Sequence, residues 1–80
     1  MKIPVIKKLV EEVDLEDLRA AEEALMEELK PAIEIQGEDE GEQLTHVFAA
    51  IFILEKMKTG DVDFKTALRE YTQKVRTSIS

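Results

Sequence analysis

The middle of the chain restricts the possible folds more than any other part of the sequence. From Glu40 to Gly60 the spacing predicts one long helix with apolar residues on two opposed sides. The first side contains Leu44, Val47, Phe48, Ile51 and Leu54. The second side contains Ala49, Ala50, Ile53 and Met57, and Phe52 lies between the two sides. A helix that is apolar all round must be covered all round, by the rest of this chain or by a second chain.

The segments around this helix predict three more helices. A short one spans residues 4–13, with proline in the first turn, where a missing N–H costs no hydrogen bond. The next begins after Asp14, a suitable N-cap, and ends before Pro31, since the residue before a proline avoids helical angles. The last begins near Asp63, another N-cap, and runs almost to the final residue. The expected fold class is all-α, a small bundle of one short and three longer helices in a single domain, residues 1–80.

Residues 32–37 interrupt the helical pattern. They alternate apolar and polar side chains, as a β-strand does. No other segment of the chain predicts a strand that could pair with them. We therefore expect either an extended connector or a strand edge that pairs with another molecule.

Length and composition exclude several kinds of protein. A core of this size supplies only about 3–5 kcal/mol of net stability, so extra burial against a partner would be useful. The chain has no cysteine, which excludes disulfides, thiolate catalysis and cysteine-based zinc sites. Its first residues do not predict a signal peptide, and the longest apolar run, residues 47–54, is too short to span a membrane. We expect a cytoplasmic protein that does not bind membranes.

The formal net charge of −7 is unevenly distributed. Residues 1–45 carry five basic and fourteen acidic side chains, a balance of −9, whereas residues 46–80 have a balance of +2. Phosphate backbones repel an acidic protein, so nucleic acid is not expected as a partner. The acidity favours solubility, or mimicry that lets the chain occupy a basic surface of a partner protein.

Few residues suggest chemistry. His46 is the only histidine, one turn from Glu42, and two such pairs related by two-fold symmetry would supply four metal ligands. The di-iron motif needs Glu-x-x-His, however, and the residue three before His46 is Gln43. Glu22 lies inside the apolar arc of the second helix. A carboxylate there could be an acid or base of raised pKa, but a simpler explanation is that it pairs with Arg19, one turn earlier. No glycine-rich phosphate loop or catalytic triad is present, so no enzyme activity and no cofactor are expected.

The second apolar side of the long helix is the expected contact surface. Two-fold homodimers are the commonest small oligomers, and the two alanines there would let a second backbone approach closely. The residues predicted to form this interface are His46, Ala49, Ala50, Ile53 and Met57.

Two stretches, residues 41–46 (Gly-Glu-Gln-Leu-Thr-His) and residues 63–72 (Asp-Phe-Lys-Thr-Ala-Leu-Arg-Glu-Tyr-Thr), resemble a family of short, acidic bacterial proteins of unknown function. The resemblance extends over the whole length. It implies no activity, cofactor or catalytic residue.

The sequence as a whole therefore predicts a non-enzymatic interaction or regulatory module that acts as a homodimer, with an unidentified protein as a possible further partner. The alternatives are a metal-binding protein that uses Glu42 and His46, and an acidic mimic.

Overall fold

The computed structural model describes residues 2–79, with side chains from residue 2 to residue 76. It contains the four helices α1 (Ile3–Glu12), α2 (Leu15–Met26), α3 (Glu40–Thr59) and α4 (Phe64–Ile79). The described residues contain no β-strand, and the expected all-α fold class is confirmed. Within the same residues, no helix combines the length and the apolar character needed to cross a membrane.

The second helix is shorter than expected, because it ends at Met26, ahead of the proline that was predicted to stop it. The N–H of Leu29 donates to the carbonyl of Ala24 at 2.8 Å, and that of Glu28 donates to Leu25 at 3.2 Å. Glu28 has a φ of 60°, in the left-handed region. These two bonds and this φ form a Schellman motif, which satisfies the last carbonyls of the helix and turns the chain away from its axis.

Aspartates precede α2, α3 and α4, and two of them act as caps. The carboxylate of Asp39 accepts the N–H of Glu42 at 2.7 Å, and that of Asp63 accepts the N–H of Thr66 at 2.8 Å. Hydrogen bonds from the side chain and the backbone of Thr66 hold the pKa of Asp63 below its ordinary value. Asp14 precedes α2 as predicted, but its side chain makes no capping hydrogen bond.

The core forms around α3, which packs against α1, α2 and α4. Each of the three surrounding helices contributes at least one fully or nearly fully buried apolar side chain. The best buried of these are Ile6, Leu9, Leu18, Ala21, Leu25 and Ala67. The apolar surface of α3 is therefore covered largely by its own chain.

The two sides of α3 differ in burial. The inner face, defined by His46, Ala49, Ala50 and Ile53, has no exposed surface. The outer face, defined by Leu44, Phe48 and Ile51, is only partly covered, and Phe48 is 39% exposed. Two apolar sides were expected from the sequence. The residues that the chain leaves partly open, Leu44, Phe48 and Ile51, belong to the first side, although Val47 of that side is fully buried.

Residues 32–37 form a connector between α2 and α3. Ile35 is buried against the helices with 6% of its surface exposed, and Gln36 offers its carbonyl oxygen to the ring of His46. The connector contains no strand, so the alternation of side chains reflects one face turned towards the core.

The connector meets α3 so closely at residue 37 that only glycine fits. A Cβ at Gly37 would lie 2.8 Å from Cγ and 2.9 Å from the backbone nitrogen of Gln43. Side-chain and backbone atoms repel strongly at such distances, so a larger residue would push the connector away from the first turn of α3.

Candidate functional site

His46 is completely buried, and both of its ring nitrogens make hydrogen bonds. Nε2 lies 2.9 Å from the backbone nitrogen of Lys2, and Nδ1 lies 2.7 Å from the carbonyl oxygen of Gln36. An amide N–H only donates and a carbonyl only accepts, so Nε2 is bare and Nδ1 carries the proton. The ring is the neutral Nδ1–H tautomer. It connects the N-terminal end of α1 and the connector to α3.

This geometry bears on the metal site considered for Glu42 and His46. Both ring nitrogens are already used, so an ion would have to displace the Lys2 N–H from Nε2. Oε1 of Glu42 is shielded from solvent without a hydrogen-bond partner. However, the described residues contain no group of three histidine, cysteine, aspartate or glutamate side chains able to hold a metal. The arrangement of His46 is that of a structural hydrogen-bonding residue.

We predict that His46→Leu lowers the free energy of unfolding by at least about 1 kcal/mol, because it leaves the Lys2 N–H and the Gln36 carbonyl without a partner. Urea denaturation measures this loss. Thr45→Val, which removes an exposed bond within α3, should change stability by less than about 0.5 kcal/mol. Nitrogen NMR of the wild-type ring should show a protonated Nδ1, and a protonated Nε2 would contradict the assignment.

The predicted interface residues lie mainly inside the single chain. His46, Ala49, Ala50 and Ile53 have no exposed surface, and Met57 is half-buried. A second copy could touch the first four only if α1, α2 or α4 moved away from α3. The face predicted to meet another chain is therefore covered by the chain's own helices. Any dimer would have to form through another surface.

An open groove of about 620 Å³ lies between α2 and α3. We call it the α2–α3 groove. Its lining residues come from α2, from the residue that follows α2, and from one turn of α3. They are Arg19, Glu22, Glu23, Met26, Glu27, Ile51 and Glu55.

The apolar part of this groove is partly exposed to solvent. Met26, on α2, is 62% exposed, and Ile51, on α3, is only partly buried. Phe48 does not line the groove, but it lies one helical turn before Ile51 on the same side of α3 and is 39% exposed. Large apolar side chains that lie close together and remain in water often mark a binding surface.

The charged part of the groove is strongly acidic, with four glutamates and one arginine. The guanidinium of Arg19 donates to Oε1 of Glu55 at 2.7 Å across the groove. Arg19 therefore pairs with α3, and the pairing with Glu22 expected from the sequence is wrong. In the described part of the chain, no ion pair engages Glu22, Glu23 or Glu27.

The sequence did not reveal the groove, because helical spacing alone places Met26 beside Leu25 in the apolar arc of α2. The neighbouring Leu25 is buried, with 6% of its surface exposed, whereas Met26 lies at the edge of that arc. The glutamates at 22, 23 and 27 surround Met26 in the sequence and were the available signal. An apolar residue among charges is more often at the rim of a core than in it.

The fold and these two regions define a class of protein: a small all-α bundle with a structural histidine at its centre and an acidic, partly apolar groove on its surface. The chain belongs to a family of unknown function, DUF6952, whose family model matches residues 1–80. This confirms the resemblance to a family of unknown function over the whole length. No curated protein matches the chain, and no solved structure does.

Proposed function

We propose that this protein is a non-enzymatic interaction module that binds another protein through the α2–α3 groove. The observation that carries the proposal is the combination of Met26, Phe48 and Ile51, three large apolar side chains with solvent-exposed surface. Exposed apolar surface costs free energy in water, and a partner that covers it recovers about 25 cal/mol per Å².

The remaining chemistry of the chain supports binding rather than catalysis. The groove is lined by glutamates, one arginine and two apolar side chains, without a hydroxyl, thiol or imidazole nucleophile. The single histidine is committed to two structural hydrogen bonds. A site for acyl or phosphoryl transfer would need a nucleophile and a base within hydrogen-bond reach of each other.

The homodimer stays a prediction, but its contact surface cannot be the inner face of α3 that the sequence indicated. Because the inner face of α3 has no exposed surface, self-association would have to use the outer face and the groove beside it. Symmetric pairing there would bring the glutamates of both copies together, which is unfavourable at low salt. This repulsion favours a partner other than a second copy.

The acidic mimic is a related alternative, because it also requires a basic partner. Mimicry by charge alone would not depend on apolar residues, and its affinity would fall steeply with salt. The exposed apolar side chains favour a groove-binding module over a purely electrostatic mimic. The cytoplasmic location and the bacterial source expected from the sequence stay predictions.

Photo-cross-linking in the source cells tests the proposed function. A photoreactive amino acid at Met26 in the full chain should cross-link to a partner protein, because Met26 is the most exposed large apolar residue among the described side chains. Phe48→Ser in the same chain should abolish that product. Ile3→Ser is the matched control, since Ile3 is 47% exposed on α1, a helix that contributes no residue to the groove lining.

The identity of the cross-linked product separates the possibilities. A hetero-protein product that Phe48→Ser removes and Ile3→Ser leaves unchanged supports the proposal. A product with a second copy only would establish the homodimer instead. The absence of any product that depends on Phe48 would contradict binding at this surface.

A further inference from the structure

We infer that the occupant of the α2–α3 groove is an amphipathic helix of another protein, with apolar residues one turn apart and lysine or arginine on its flanks. This inference rests on the proposed function and specifies the chemistry of the partner. It commits to a protein helix, as opposed to an extended strand, a second copy of this chain or a nucleic acid.

The backbone around the groove argues for a helix and against a strand. The groove lies between α2 and α3, whose backbone groups are already hydrogen-bonded within each helix. A strand binds by adding to free backbone groups at a sheet edge, and helix sides offer none. A partner here must bind by its side chains, as a helix does when it lays one face in a groove.

The spacing of two groove residues, and of Phe48 beside the groove, fits this geometry. Phe48, Ile51 and Glu55 follow each other at intervals of three and four residues along α3, which places them in one row. The row is about 10 Å long, or two helical turns. A third helix packed beside two others lies about 8–10 Å from each axis, so that its apolar face would cover Met26 and Ile51 together.

The charge of the groove selects a basic partner. Four glutamates and one arginine line it, and the arginine is already paired with Glu55. The carboxylates of Glu22, Glu23 and Glu27 thus lack an ion-pair partner within the described residues. Lysine or arginine on the flanks of a bound helix would meet these carboxylates while its apolar residues contact Met26 and Phe48.

A pair of designed peptides tests the inference with the full-length protein. Each has about 14 residues, which is about four helical turns, and each carries leucine at helical spacing. One has lysine and arginine at its flanking positions, and the other has glutamate at the same positions. We expect the labelled basic peptide to bind the wild-type protein in fluorescence anisotropy, and the acidic peptide to bind at least about tenfold more weakly.

Variants of the protein test where the basic peptide binds. Phe48→Ser and, independently, Met26→Gln should each weaken its binding about tenfold, because each truncates a central apolar contact. Both residues are exposed enough for the fold to persist, and the thermal midpoint checks this. Ile3→Ser should leave the affinity unchanged.

The matched charge control is a pair of double variants. Glu23→Gln with Glu27→Gln removes two charges from the groove, whereas Glu11→Gln with Glu16→Gln removes two exposed charges outside its lining. The first should weaken the binding of the basic peptide several-fold and reduce its salt dependence. The second should have little effect.

Each other result would overturn the inference. If both double variants lost affinity for the basic peptide equally, the peptide would be attracted to the acidic protein in general and not to the groove. Equal binding of the two peptides would mean that charge does not select the partner, and binding of neither would exclude a helical occupant. If Met26 cross-links in cells to a partner segment that is extended or acidic, the proposed function stands and the basic-helix inference fails.

Discussion

Ala50→Glu is expected to unfold the protein. Ala50 has no exposed surface on the inner face of α3, and the substitution places a carboxylate in the hydrophobic core. Burial of an unpaired charge costs more than about 4 kcal/mol, which equals or exceeds the total net stability expected for a domain of this size. Far-UV circular dichroism and urea titration should show loss of the folded state at room temperature.

Ala20→Glu is the matched control, because Ala20 is exposed on α2. The same change there should alter the free energy of unfolding by less than about 0.5 kcal/mol. A folded Ala50→Glu monomer beside a wild-type dimer would return the homodimer contact to the inner face of α3. If Ala50→Glu had the stability and the oligomeric state of the wild type, the burial of Ala50 would be contradicted.

Ile53→Ala should cost about 2–5 kcal/mol, the usual range for truncation of a fully buried aliphatic side chain. Ile51→Ala makes the same chemical change two residues earlier on α3, where the side chain is partly exposed in the groove. It should cost only about 1–2 kcal/mol, because less apolar surface returns to water. Chemical denaturation of the two variants measures the difference directly.

The comparison of these isoleucines separates the two faces of α3. A larger loss for Ile51 than for Ile53 would mean that the outer face is the core face. Equal large losses would mean that both are buried, for instance by a second copy over the groove. In that case the wild-type stability should also depend on protein concentration.

Two neighbouring residues of α2 lie in different environments, one in the core and one in the groove. Leu25 contributes to the core, whereas Met26 remains in water beside Glu22, Glu23 and Glu27. Large apolar side chains grouped on a surface often mark a binding site. For this reason we propose the groove, and not the buried His46, as the functional site.

The sequence alone determined the fold class and most of the helix limits. These depend on local physics: the apolar spacing along each helix, the aspartates before α3 and α4, and the end of α3 at Thr59, beside Gly60. The sequence also indicated correctly that α3 has two apolar sides. It did not indicate the early end of α2, because that end depends on the left-handed conformation of Glu28, which glutamate seldom adopts.

Only the tertiary structure decided which side of α3 is covered. Periodicity orders residues around one helix axis, but it does not specify how that helix is rotated relative to its neighbours. Packing against α1, α2 and α4 placed Ala50 and Ile53 inside and left Phe48 partly in water. Small residues such as Ala50 suit close contact with helices of the same chain as well as with a second chain. For the same reason, the pairing of Arg19 with Glu55 across 36 residues of sequence could be recognised only once α2 and α3 were packed together.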